Sequence, residues 1–99
     1  MTRYDILELL QRYLDRYPDE GEMVARVRAL VEARADCARR SCRPGHLTGS
    51  AWIVSSDRQR VALVHHRKLE RWLQPGGHAD GDTDIAAVAW REATEETGL

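Results

Sequence analysis

Apolar residues recur at three- and four-residue steps in two stretches near the start of the chain. Ile6, Leu7, Leu10, Tyr13, Leu14 and Tyr17 form one stripe, which predicts an amphipathic helix over residues 2–17 with Thr2 as its cap. Pro18 ends it, because the residue before a proline is pushed away from helical angles. Met23, Val24, Val27, Leu30 and Val31 form a second stripe, and the short joint over residues 18–21 predicts an antiparallel helical hairpin. Periodicity is then lost over residues 35–45, which carry Arg39, Arg40 and Arg43, end in Pro44-Gly45 and read as a linker. Residues 49–55 and 60–66 follow as two strand-like runs across a four-residue loop, a hairpin signature. In the second run Val61, Leu63 and His65 alternate with Ala62, Val64 and His66, so both faces are largely apolar and burial on both sides is expected. Trp72-Leu73 reads as a short strand, and Pro75-Gly76-Gly77 as a sharp turn.

The last periodic stretch, residues 85–97, is helical. Ala86, Ala89, Trp90, Ala93 and Thr97 form a face of mostly small residues, whereas Glu92, Glu95 and Glu96, at i, i+3 and i+4, are expected on the opposite side. Three like charges grouped there repel unless a cation lies over them. Magnesium or manganese suits such a group, since these hard ions take carboxylate oxygens and share their remaining positions with water and substrate phosphates. A merely solvated acidic face is the alternative. Gly98 supplies a helix stop, and Asp82 or Thr83 an N-cap.

Composition narrows the picture. The 99 residues carry a formal net charge of -1 and 42% hydrophobic residues, which fits one ordinary domain and argues against a general nucleic-acid binder. The charge is divided along the chain. Five cations (Arg58, Arg60, Arg67, Lys68 and Arg71) and one acid, Glu70, fall within residues 58–71, suited to phosphate oxygens. Six acids and one arginine fall within residues 77–99, suited to a bridging metal. Without a ~20-residue apolar run, no membrane partner is expected, and with no secretory signal a cytoplasmic setting is the expectation. Cys37 and Cys42 read as free thiols; with His46 they offer three zinc ligands and no fourth.

Gly77 followed by Arg91-Glu92-Ala93-Thr94-Glu95-Glu96-Thr97-Gly98-Leu99 resembles the Nudix box, Gly-x5-Glu-x7-Arg-Glu-U-x-Glu-Glu-x-Gly-U, where U is bulky and aliphatic. Trp72-Leu73-Gln74-Pro75-Gly76 resembles the lead-in to that box. Two positions depart from the pattern: its first glutamate falls on Thr83, with Asp82 beside it, and Ala93 is a small occupant of the U position. The resemblance implies an α+β chain, with a Nudix-type α/β/α sandwich incomplete at the C-terminus behind the helical hairpin. The division expected is residues 1–44 for hairpin and linker and 45–99 for the front part of a Nudix domain. It further implies a divalent-metal-dependent pyrophosphohydrolase acting on a nucleoside diphosphate linked to another group. Glu92, Glu95, Glu96 and the Gly77 carbonyl are the implied ligands of Mg2+ or Mn2+. Glu92, Arg91 and Glu95 are the catalytic candidates, with Arg91 orienting the glutamates. His65, Arg67 and Trp72 are the residues expected to meet substrate.

The alternative is a weak or inactive Nudix-like fragment that binds nucleotide or a protein partner, which the threonine at position 83 favours. Because a Nudix fold continues with further strands and loops, the chain reads as the front part of a longer protein. A sheet left open in this way, together with the helical stripes, favours a homodimer.

Overall fold

The computed structural model describes residues 2–43 and 45–99. The turn expected at Pro44 lies outside the described residues. The chain is α+β and forms two compact units, Met1–Leu47 with Ala79–Asp84, and Thr48–His78 with Ile85–Leu99.

In the first unit the apolar stripes form α1 (Arg3–Arg16) and α2 (Gly21–Ala33), joined by a 3-10 turn over Pro18–Glu20. Thr2 begins α1: its N–H and its hydroxyl both donate to the Asp5 carboxylate, at 2.7 and 3.2 Å, a capping-box arrangement. Arg3 Nη1 donates to the Val31 carbonyl at 3.0 Å and Arg28 Nη1 to Gln11 Oε1 at 3.4 Å. The start of α1 therefore meets the end of α2, and the hairpin is antiparallel. Ile6, Val24 and Val31 are buried in it. Tyr13 and Tyr17 extend the stripe in sequence but stay outside the core, their rings tilted by 43° with centroids 4.9 Å apart.

The stretch expected as a linker, residues 35–45, is folded over residues 35–43. Consecutive turns there set Arg39 N–H on the Asp36 carbonyl and Cys42 N–H on that of Arg39, and farther along Leu47 N–H donates to that of Cys37. Cys37, Ala38 and Cys42 are buried and both thiols are free. Arg34 grips Asp36 through two bonds of 3.2 Å and donates to the Arg43 carbonyl at 2.6 Å. Short-range turns supply the backbone partners here, which a periodicity argument does not register.

The second unit holds six short strands paired as three two-stranded antiparallel ladders: β1 (Thr48–Ser50) with β6 (Gly76–His78), β2 (Ile53–Val54) with β3 (Val61–Ala62), and β4 (Val64–His66) with β5 (Arg71–Leu73). The two long strands expected from the sequence are each broken, at residues 51–52 and at Leu63. Burial on both sides of residues 60–66 is not observed either. Val61 and Leu63 are 41% and 39% exposed, and the histidines lie at the surface, because β3 and β4 belong to different two-stranded ladders and neither face gains a covering layer among the described residues. The last helix, α3, spans Ile85–Thr97. Gly98, at φ 73°, ends it by donating its N–H to the Thr94 carbonyl at 2.9 Å.

Candidate functional site

The site expected from the sequence is a Pro75-Gly76-Gly77 turn and the acidic side of α3; the two glycines instead run in strand β6, neither at positive φ, because they pair with β1, and the fold packs α3 on β1 and β6. The register of that ladder sets Gly49 opposite Gly77 and Ser50 opposite Gly76. Absent side chains let the helix come close. A Cβ added at Gly49 would lie 2.8 Å from Val88 Cγ1 and 3.0 Å from the Ala89 nitrogen, and one added at Gly77 would lie 2.6 Å from Glu92 Cδ. The row of α3 that meets the ladder is therefore Val88, Glu92 and Glu96, one residue per turn at i, i+4 and i+8. Val88 is fully buried over Gly49, the Glu92 carboxylate lies against Gly77, and Glu96 Oε2 accepts the Gly76 N–H at 2.8 Å.

The face of mostly small residues lies elsewhere: Ala86, Ala89, Trp90 and Ala93 line an open apolar cavity of about 450 Å³ with Ala51, Trp52, Ile53 and Leu99. Trp90 is 76% exposed beside it and Trp52 62%. Glycine in the strand partner, not bulk on the helix, selects the packed face. The signal that sequence reasoning missed is Gly49 inside Thr48-Gly49-Ser50, since an interior strand glycine marks a close backbone approach.

The three glutamates are thus divided. Glu92 and Glu96 are held against β6, whereas the side chain of Glu95 is exposed with no bonding partner among the described residues, as is that of Arg91. The loop before α3 carries the departures from the box. Asp82 Oδ1 accepts the Asp84 N–H at 2.9 Å, a local turn that leads into the helix, and Thr83 is half-buried.

His65, Arg67 and Trp72 belong to the β4–β5 hairpin. His65 pairs with Trp72 across the ladder, their rings edge to face at 5.1 Å, and His66 Nδ1 accepts the Leu69 N–H at 3.2 Å. No hydrogen bond, ion pair or ring contact among the described residues joins this hairpin's His65, Arg67 or Trp72 to Glu92, Glu95 or Glu96.

Residues 46–99 match the family model of the NUDIX domain. The chain belongs to the Nudix family. It is also 40% identical over 50 residues to the CMP-5'-(N-acetyl-N-hydroxy-3-aminopropyl)phosphonate hydrolase of Streptomyces rubellomurinus, a match covering 46% of this chain and 24% of that protein. The chain spans about a quarter of the length of this curated relative.

Family membership raises the question of a metal. Among the described residues no three His, Cys, Asp or Glu side chains are grouped so as to hold an ion. The Nudix carboxylates do not present such a group as they stand: Glu96 is engaged by a backbone amide and Glu92 is laid on Gly77. The thiols offer no alternative: burial, and then a hydrogen bond to Asp36, push the Cys42 thiol up, away from the thiolate a metal prefers. No helix among the described residues is long and apolar enough to cross a membrane.

Proposed function

We propose that this Nudix domain binds a nucleotide derivative with weak or no turnover of its own. The observation that carries the reading is the engagement of Glu96 with the Gly76 N–H at 2.8 Å, beside a Glu92 carboxylate packed on Gly77. These contacts engage the carboxylates in holding α3 to β6. Threonine at position 83, in place of the box's first glutamate, supports the same reading. The relative's name points to a cytidine monophosphate derivative as the ligand class to test. Calorimetry with CMP, together with phosphate release in Mg2+ or Mn2+ from nucleoside diphosphate derivatives, tests this. Binding without metal-dependent release is expected; robust metal-dependent release would overturn it.

A second reading has its own support in Arg91-Glu92 and Glu95-Glu96 at box spacing and in a relative named as a hydrolase. It is the full activity of a divalent-metal-dependent pyrophosphohydrolase with an α/β/α sandwich. Mg2+ or Mn2+ would be held by Glu92, Glu95, Glu96 and the Gly77 carbonyl, with His65, Arg67 and Trp72 toward substrate. Under it, Glu92→Gln lowers turnover by ~10²-fold or more, as loss of a general base does. Under the first reading the same substitution leaves CMP binding within a few fold.

A homodimer belongs to the proposal as well. Trp52, Trp90 and Leu99, at 62%, 76% and 76% exposure, surround one apolar cavity. With aromatic side chains of roughly 150–250 Å² each, this makes a patch of a few hundred Å², the size that often marks a docking surface. A second copy is the occupant we expect, and light scattering that returned a stable monomer would remove it.

A further inference from the structure

The loop of the Nudix box does not cluster with the strand and helix it joins. Ala79–Asp84 packs with Met1–Leu47, and four observations locate the hold. Ala79 is buried at 1% exposure. Gly81 donates its N–H to the Ala38 carbonyl at 2.9 Å, a backbone bond across more than forty residues of chain. Arg40 grips Asp80 with both oxygens engaged: Nε and Nη2 reach Oδ1 at 3.2 and 3.0 Å, and Nη2 reaches Oδ2 at 3.3 Å. The Arg39 guanidinium lies flat enough on Gly81 that a Cβ added there would meet its Cζ, Nη2 and Nη1 at 3.0, 3.1 and 3.2 Å.

The platform that makes these contacts is the turn-rich segment anchored by buried Cys37, Ala38 and Cys42. The loop it holds has two successive residues at positive φ, Asp80 at 51° and Gly81 at 93°. Asp and Gly both tolerate such angles, so the pair permits the turn locally, and the contacts with Ala38, Arg39 and Arg40 fix where it sits. It also carries Asp82, whose carboxylate sets the turn into α3, and Thr83.

We propose that Arg39 and Arg40 are positioning residues: the segment before the matched domain clamps the Nudix-box loop and so presets the entry to α3. This rests on the reading of residues 77–99 as the ligand-binding element. Bidentate geometry is what makes Arg40 the sharper of the two, since guanidinium fixes both carboxylate oxygens where an ammonium would hold one. The N-terminal segment is then part of the box's machinery even though the family match begins at residue 46.

Amide exchange on the whole chain tests the clamp without requiring turnover. Arg40→Ala and Asp80→Asn each accelerate exchange at the Gly81 amide by roughly two- to fivefold, the range open to one exposed ion pair, while the amides of α2 keep their rates. Asn is chosen at position 80 because it tolerates positive φ and removes only the charge. Arg40→Lys recovers part of the protection. CMP affinity falls in the two charge-removing variants and returns partly with lysine. Unchanged exchange at Gly81 in both variants, or equal acceleration throughout α2, overturns the clamp. An intact exchange effect with no CMP binding in the wild type instead removes the binding reading and leaves the clamp standing.

Discussion

Two parts of the second unit make opposite use of their side chains. The ladder of β1 and β6 is nearly stripped of them, with Gly49, Gly76 and Gly77 among its six residues, and α3 sinks onto it until Val88 is fully buried. The ladder of β4 and β5 is rich in them, yet Trp72 is 67% exposed and Leu73 37%, and the two strands pack on each other. Bulk does not decide which region is tight. A glycine strand admits a helix backbone to within van der Waals range, and every apolar atom on the approaching row then finds a partner; a two-stranded hairpin of large residues offers no second layer and stays half wet. The residues expected to bind substrate therefore sit on a weakly held element, and the carboxylates on a firmly held one.

Fluorescence separates the two, since all three tryptophans (Trp52, Trp72 and Trp90) lie in this unit. The largest loss is expected from Gly49→Val, whose Cβ alone would stand 2.8 Å from Val88 Cγ1 and 3.0 Å from a backbone nitrogen. Overpacking costs about 1–3 kcal/mol, and contact with backbone puts this case toward the upper end, so urea unfolding should show a markedly lowered midpoint. A near-wild-type midpoint would mean that the close approach of α3 to β1 is not needed.

Next comes Glu96→Ala, which leaves the Gly76 N–H without its carboxylate partner. A loss of about 1 kcal/mol is expected for this exposed, charge-assisted bond, against less than about 0.5 kcal/mol for Glu95→Gln. Equal effects would erase the distinction between the packed row and the exposed glutamate. Trp72→Ala should cost less than about 1 kcal/mol, the range of a single cross-strand pair. A larger loss would show that the β4–β5 hairpin is tied into the core after all.

The smallest effect is that of acid. Asp5 is held below the usual carboxylate range by the Thr2 N–H, Asp36 by the Arg34 guanidinium and then Cys42, and Asp57 by the Ser55 hydroxyl and the Gln59 N–H. Depressed folded-state values mean a contribution fully present above the unfolded-chain value near pH 4 and lost as pH falls through the folded values. Two of these groups are in the first unit and one in the second. Helical circular dichroism should therefore stay flat from neutral pH to about pH 5 and weaken only below about pH 4; a loss of signal already complete above about pH 5 would overturn this assignment.

What the sequence determined by itself is local. The stripes of α1 and α2, the break at Pro18, the cap at Thr2, the span of α3 at residues 85–97 and its stop at Gly98 follow from periodicity, a proline, a capping side chain and a glycine at positive φ. The box itself was legible because its spacing lies almost wholly within one turn and one helix. The tertiary structure decided which row of α3 is buried, because that depends on Gly49 meeting Gly77 across a ladder whose strands are more than twenty residues apart. It also decided that Ala79–Asp84 packs with residues before 47 instead of with its chain neighbours. Both are choices among partners of similar local fitness. A free helix has no preferred face until an opposing surface is close enough to fill it, and a loop at positive φ has no preferred seat until a carbonyl and two guanidinium groups are brought to it.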